Sequence, residues 1–558
     1  MKLGAEEAPE GTLFIIEAAG KREALLKTLN QIGVKGVVFS TNGHVLSSPK
    51  SLWPSFIDAK FRELRREPIN PDLCTDMKIA ARKAKRIIVA TDPDEEGHVI
   101  ATDVANMLSN HHHVLRGLFY GFDALSVRKG MNRLTRVNDD EAVPGNVRRV
   151  IDRWIGSTFS DPKKGVSVGR ILTGALSLVK RKPVELGFLP VDIPASDGGE
   201  PFRGDIPITR ENKHLLEKYM LDLGKLDPLD VDYKEIDTSG LPQDHIDTIL
   251  SISLKTGESI KVVQERLQRF YERQHISYPR TDAHSYNHKS IDFAKKLASH
   301  NHVEIKSDLY AINDQEHAHE SIHLLREIEL DREIQYGEDQ EILTHIGRMM
   351  IKAGQPIVKI MANASSLPFW ARDIEWKRTV SMNNGWLDDK APPPFKPVMY
   401  SSEQAGLKFL HDNDLGRPGT MVSHAVRLTS KGLLTEDFKL TGKGEKFLKH
   451  SPEVLFEERV HALLEYAGKA KPPEGVDPES VTVEDRVIFA LKESGLLKDA
   501  EEKQKLKKIE GESLREDKVA ALNEAFSDSN PRRDDQLDQG DPRSKPAYSG
   551  MMTKKDLS

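Results

Sequence analysis

The chain has 558 residues and a single cysteine, Cys74. One thiol excludes disulfides within the chain and any cysteine-built zinc site, and it fits a reducing compartment. No apolar run approaches the roughly 18 residues of a membrane-spanning helix, and no secretory signal opens the sequence. The expectation is therefore a soluble, intracellular protein. A Gly-x-x-x-x-Gly-Lys-Ser/Thr phosphate cradle is also missing, which argues against a P-loop ATPase. Nor does one sign of charge dominate: the net charge is −6 with 30% charged residues. Such a balance leaves nucleic acid open, because an acidic chain can carry a local basic channel. The length implies several domains with sizeable cores.

Against these absences stands a crowd of carboxylates. Arg86-Ile-Ile-Val-Ala-Thr-Asp-Pro-Asp-Glu-Glu-Gly97 runs from an apolar strand into four acids within five residues. Like charges so close repel unless a cation sits among them, and oxygen-only donors at short spacing suit a hard divalent ion such as Mg²⁺. Alternation would turn Asp92, Asp94 and Glu96 one way and Glu95 the other. The plainer alternative is an acidic loop opening a helix, with Glu95, Glu96 and Gly97 in its first turn. Thr12-Leu-Phe-Ile-Ile16 repeats the grammar: a buried strand, then Glu17, then a helix with Leu25, Leu26, Leu29 and Ile32 on its apolar face. In open α/β sheets strand C-termini line the ligand crevice, so Glu17 can join the other acids around one ion.

Beyond residue 140 the chain turns helical and locally basic, with Arg148, Arg149, Arg153, Lys163, Lys164 and Arg170, cations able to track a phosphate backbone. Residues 250–273 and 286–300 read as helices, 355–389 as strands, Ala391-Pro-Pro-Pro-Phe395 as a linker, and 403–450 as small helices with a β-turn unit. From about residue 500 the sequence is charged and poor in large apolar residues, with disorder expected after Ser527. A second chemical centre is Gln274-His-Ile-Ser-Tyr-Pro-Arg-Thr-Asp282. A phenol ionises near pH 10, so a nucleophilic Tyr278 needs a cation, which Arg280 can supply. The alternative is a core tyrosine beside a proline turn.

These segments together resemble the type IA DNA topoisomerases. The Glu17 strand, Gly43-His44 and the acid run resemble that family's Toprim domain. Ile276-Ser-Tyr-Pro-Arg-Thr-Asp282 is similar to its tyrosine motif, and His317-Ala-His-Glu-Ser-Ile322 to its Ala-His-Glu-Ala-Ile segment. Val147-Arg-Arg-Val-Ile-Asp-Arg-Trp-Ile-Gly156, Ser167-Val-Gly-Arg170 and Leu415-Gly-Arg-Pro-Gly-Thr420 match three more segments in the family's order. The resemblance implies a multidomain α/β and α+β toroid. Its parts would be a Toprim domain at 10–135, a winged-helix-like single-strand-binding domain at 140–200 and 396–480, and a β-rich hinge at 201–245 and 350–395. A tyrosine domain would fill 246–349 and a charged tail 500–558. Tyr278 and the acids would then meet only between two domains, hence their separation in sequence.

The same resemblance assigns roles. Tyr278 would attack a single-strand phosphate to give a 5′-phosphotyrosyl link, with Arg280 stabilising the phenolate and phosphate and Lys21 protonating the leaving 3′-oxygen. Glu17 would lie near the scissile phosphate, and together with Asp92, Asp94 and Glu96 it would hold Mg²⁺. His319, Arg170, Arg148, Arg149, Arg153 and Arg417 would contact the strand. The implied protein is a monomer acting on single-stranded and negatively supercoiled DNA without ATP. Departures are visible: Glu95 replaces a usual arginine and is expected to tolerate its return, Ala18-Ala-Gly-Lys21 replaces Ser-Pro-Ala-Lys, Gln274 replaces a glycine, His323 replaces an arginine, and one cysteine cannot build the zinc-ribbon tail of many relatives. A Toprim nuclease or primase has no need of Tyr278, and a silent paralogue would lack the tyrosine or the acids.

Overall fold

The computed structural model describes residues 11–109, 114–238, 242–313, 320–330, 339–381, 391–470 and 480–504. The chain divides into two compact units, one formed by residues 1–174 and 447–558, the other by 175–446. These boundaries fall inside the segments 140–200 and 396–480. The charged tail beyond residue 504 lies outside the described residues.

The first unit opens with β1 (Thr12–Ile16), α1 (Arg22–Gln31), β2 (Gly36–Ser40), β3 (Leu46–Ser47), β4 (Glu67–Pro68), α2 (Pro71–Arg82), β5 (Arg86–Val89) and α3 (Glu95–Met107). β6 (Val114–Arg116), α4 (Ala124–Met131), β7 (Thr135–Arg136), α5 (Val143–Phe159) and α6 (Arg170–Arg181) follow, α6 crossing the unit boundary. The main sheet has the order β2-β1-β5-β6-β7, parallel except for β7. All five residues of β1 are buried, as expected of a parallel strand covered on both faces. Alternation then splits them. Leu13 and Ile15 join Cys74, Met77, Ile100 and Val104 of α2 and α3 on one face. Phe14 and Ile16 join Leu25, Leu29 and Val127 of α1 and α4 on the other.

The second unit holds β8 (Glu185–Ile193), β9 (Phe202–Thr209), α7 (Leu216–Leu223), β10 (Val231–Thr238), α8 (His245–Thr256), α9 (Ile260–Glu272), α10 (His288–His300) and α11 (Asp339–Lys352). It continues through β11 (Ile357–Ala362), β12 (Lys377–Ser381), β13 (Val398–Met399), α12 (Ser402–Asp412), α13 (Pro418–Ser430) and α14 (Gly442–His450). Its sheet has the order β10-β11-β12-β9-β8-β13, antiparallel throughout. One face is a core of Leu189, Val191, Ile193, Phe202, Ile206, Ile208 and Trp376. Residues 391–395 are docked rather than a free linker: the Phe395 N–H donates to the Pro190 carbonyl at 2.7 Å, and Arg203 to that of Pro392 at 2.6 Å. The chain then returns to the first unit with α15 (Glu458–Tyr466), α16 (Val483–Glu493) and α17 (Leu496–Gln504).

Candidate active site

In the first unit, β1 and β5 are adjacent and parallel, with Ile15 opposite Val89, and the chain leaves them toward opposite edges. Glu17 and the acid turn therefore emerge side by side at a topological switch point, where α/β sheets open a crevice. The turn is fixed from three sides. The Arg116 guanidinium, 1% exposed, donates to the carbonyls of Val89 (3.1 Å), Thr91 (2.8 Å), Asp92 (2.9 Å) and Gly117 (3.3 Å). Asp94 caps α3, accepting from the Gly97 N–H at 2.7 Å. Thr91 donates to the Gly97 carbonyl at 2.6 Å. A β-carbon on Gly97 would lie 2.0 Å from the Asp92 carbonyl oxygen, so only glycine admits this approach.

Protein cations answer the crowded negative charge. Lys21, 1% exposed, is ion-paired to the buried Asp92. Arg148 reaches Glu95 at 2.6 Å and Glu96 at 2.5 Å, and Lys469 reaches Glu95 at 2.6 Å. His44 bonds Glu96 at 2.8 Å. Burial alone would raise the Glu96 carboxyl, but the His44 hydrogen bond and the Arg148 charge prevail and hold it at about 2. The donor set of Glu17, Asp92, Asp94 and Glu96 is oxygen-only and fits a hard divalent ion. No three of the four bring oxygens within 4.8 Å of one another; among the described residues that spacing occurs at Asp244, Asp247 and His411.

Arg148, Arg149, Arg153 and Arg170, expected to bind a strand, are engaged internally. Arg153 donates to the carbonyls of Ser55 (2.8 Å), Pro49 (2.8 Å) and Ser51 (2.6 Å). Arg149 bonds Glu63 at 3.0 Å and Asn146 at 2.6 Å. Arg170 is buried between Asp152 and Glu465, whose charges outweigh burial and raise its already high pKa.

In the second unit the chain from His275 to Ser285 lies along the segment after residue 319. Ile276 bridges Leu324 antiparallel, the Ser277 N–H donates to the His323 carbonyl at 2.8 Å, and the His323 N–H to Ser277 Oγ at 3.0 Å. Glu320 accepts from the Asn287 N–H at 3.0 Å and Ser290 Oγ at 2.6 Å. His319 itself lies outside the described residues. Tyr278 is 8% exposed, its ring edge-on to Tyr271 with centroids 5.4 Å apart. The His245 N–H donates to the Thr281 carbonyl at 2.9 Å, tying α8 to this loop. A β-carbon on Gly419, in the first turn of α13, would sit 3.3 Å from Arg280 Cδ. The fold thus brings the Leu415–Thr420 turn to the tyrosine loop, with Gly416 at φ +106° and Arg417 as N-cap.

Sequence reasoning missed Arg116, Lys469, Asp244, His245 and His411. Asp244 caps α8, accepting from the Asp247 N–H at 2.8 Å, and pairs with His411 at 2.8 Å. That hydrogen bond raises the His411 pKa despite burial, so the trio is an ion pair on a helix cap. An arginine closing a strand was a usable signal for Arg116; nothing in sequence marks Lys469.

A parallel sheet sandwiched by helices, with acids at its switch point, defines a Toprim unit, here joined to a second unit bearing a tyrosine beside an arginine. A family model described as DNA topoisomerase matches residues 136–397, and one described as Toprim domain matches 12–119. A reverse gyrase from Pyrococcus furiosus is 27% identical over 273 residues, 47% of this chain but 21% of that protein. DNA topoisomerase 1 of Aquifex aeolicus is 26% identical over 518 residues, 83% of this chain and 94% of that one. DNA topoisomerase 1 of Campylobacter jejuni is 24% identical over 347 residues, 49% of its length. The chain therefore spans nearly all of one such relative and half or less of the other two. The solved full-length topoisomerase I from Thermotoga maritima shares the fold, with a TM-score of 0.53 and 16% identity over 94% of this chain and 90% of that one. The chain belongs to the type IA DNA topoisomerases. Among the described residues no helix is long and apolar enough to cross a membrane.

Proposed function

We propose that this chain cuts, passes and reseals one strand of DNA through Tyr278, acting on single-stranded and negatively supercoiled DNA as a monomer. The carrying observation is the tyrosine loop: a nearly buried Tyr278, two residues from Arg280, is stitched to the 320–324 segment on one side and α8 on the other. The phenolic oxygen attacks a backbone phosphorus, the bond to the 3′-oxygen breaks, and a 5′-phosphotyrosyl link and a free 3′-hydroxyl result. Attack by that hydroxyl reverses the step. The new ester conserves the energy of the old one, so no ATP is consumed. Arg280 stabilises the phenolate and the phosphate charge. Lys21, on leaving Asp92, protonates the departing 3′-oxygen, and Glu17 lies by the scissile phosphate. His319, Arg148, Arg149, Arg153, Arg170 and Arg417 serve the bound strand, with Arg153 acting through the loop carbonyls it braces and Arg170 through its ion pairs to Asp152 and Glu465. Asp92, Asp94, Glu96 and Glu17 would hold Mg²⁺, an ion that would offset their repulsion and help position the 3′-end for resealing.

The test is covalent trapping on a single-stranded oligonucleotide. The wild type should yield a denaturant-resistant adduct, and Tyr278→Phe should abolish both the adduct and Mg²⁺-dependent plasmid relaxation without ATP. An adduct that persists in Tyr278→Phe overturns the assignment.

A further inference from the structure

His245, the first residue of α8, is 1% exposed, and neither Nδ1 nor Nε2 has a hydrogen-bond partner. A buried polar group left unpaired destabilises the fold, and an apolar ring would fill the same space without that cost. The imidazole stands next to the reactive loop. The backbone N–H of His245 donates to the Thr281 carbonyl, and the Thr281 N–H donates to the Pro279 carbonyl, both at 2.9 Å. The Pro279 carbonyl is near enough to favour protonation of the ring, yet the contact falls short of a hydrogen bond. Burial first, and then the Arg280 charge, hold the His245 pKa down at about 4. The ring is thus neutral at physiological pH, with one N–H to donate and one lone pair to accept. α8 itself is anchored, because its cap Asp244 is buried and paired to His411. Closing the gap therefore falls to the loop.

We propose that His245 is a positioning residue for the tyrosine loop: its ring N–H is held for the Pro279 carbonyl and bonds it when the loop settles against α8 with DNA seated. That bond fixes the residue between Tyr278 and Arg280, so phenol and guanidinium are aligned on one phosphate. The unpaired ring is the cost of leaving the loop adjustable before the strand arrives. This inference rests on the proposed role of Tyr278 and adds a second group to it.

Three variants of the full chain test it: His245→Phe, His245→Asn and His245→Gln, the amides retaining an N–H at the reach of Nδ1 or Nε2. His245→Phe should melt at or above the wild-type temperature and bind oligonucleotide within twofold of wild type. It should form the covalent adduct at least tenfold more slowly at saturating DNA. One of the two amides should recover the rate to within about threefold. Wild-type cleavage rates in a stable Phe variant overturn the proposal, as does a loss of rate that tracks melting temperature across all three. If Phe does not fold, the amides decide: recovery in one supports the proposal and loss in both overturns it. Failure of the wild type to form any adduct would sink the Tyr278 reading instead.

Discussion

Glu95 shows how a single residue is read differently once its neighbours are known. In sequence it stands apart from the alternating acids and invites replacement by the arginine usual in relatives. In space it accepts from Arg148 at 2.6 Å and Lys469 at 2.6 Å, and Arg148 also holds Glu96. Glu95→Arg would set a third cation against two others and release Arg148 from one of its anchors. Glu95 is 22% and Arg148 13% exposed, so the loss should exceed that of a surface pair without reaching that of a buried one, at about 1–3 kcal/mol. Thermal unfolding should show a lower melting temperature, and Glu95→Gln should fall between the two. An unchanged melting temperature in Glu95→Arg would mean that the pairs contribute nothing. Sequence could not foretell this, because the residue that decides it, Lys469, lies hundreds of positions away.

At the level of elements, strand and helix identities were legible where periodicity was strong. Thr12–Ile16 and the strand ending at Val89 were readable as buried runs and 286–300 as the helix α10, whereas the helical reading of 250–273 is broken where Gly257, at φ +72°, closes α8 and Ser259 caps α9. What sequence could not supply was how the acid turn keeps its shape. Gly97 looked like the end of a motif, yet it is the point where backbone meets backbone: a β-carbon there meets the Asp92 carbonyl oxygen at 2.0 Å. Gly97→Ala must push the start of α3 off the end of β5 and disturb the Asp94 cap and the Thr91 bond together. Overpacking of this kind costs about 1–3 kcal/mol. The variant should lose relaxation activity while Tyr278 in the other unit still forms its adduct with an oligonucleotide. Loss of both activities with a normal melting curve would contradict that separation. Arg116 belongs to the same device, since its guanidinium holds three carbonyls of the strand end and turn.

At the scale of the whole molecule, the acids belong to one unit and Tyr278 to the other, so cutting and resealing should be separable by mutation. The structure dictates which substitution makes a fair test. Asp92 is ion-paired to Lys21, which is 1% exposed; alanine at Asp92 would remove this anionic partner from a buried ammonium, a loss of about 3–5 kcal/mol that could masquerade as catalytic failure. Asparagine removes the charge but keeps an oxygen to accept from Lys21 and, at position 94, from the Gly97 N–H that starts α3. The double variant Asp92→Asn with Asp94→Asn should therefore fold and retain adduct formation on single-stranded oligonucleotide. It should fail to relax supercoiled plasmid at any Mg²⁺ concentration, because the carboxylates that would hold the ion for resealing are gone. Titrating Mg²⁺ in the relaxation assay checks this. If the double variant relaxes plasmid with wild-type Mg²⁺ dependence, the crowded acids serve the protein's own cations, Lys21 and Arg148, and not a metal.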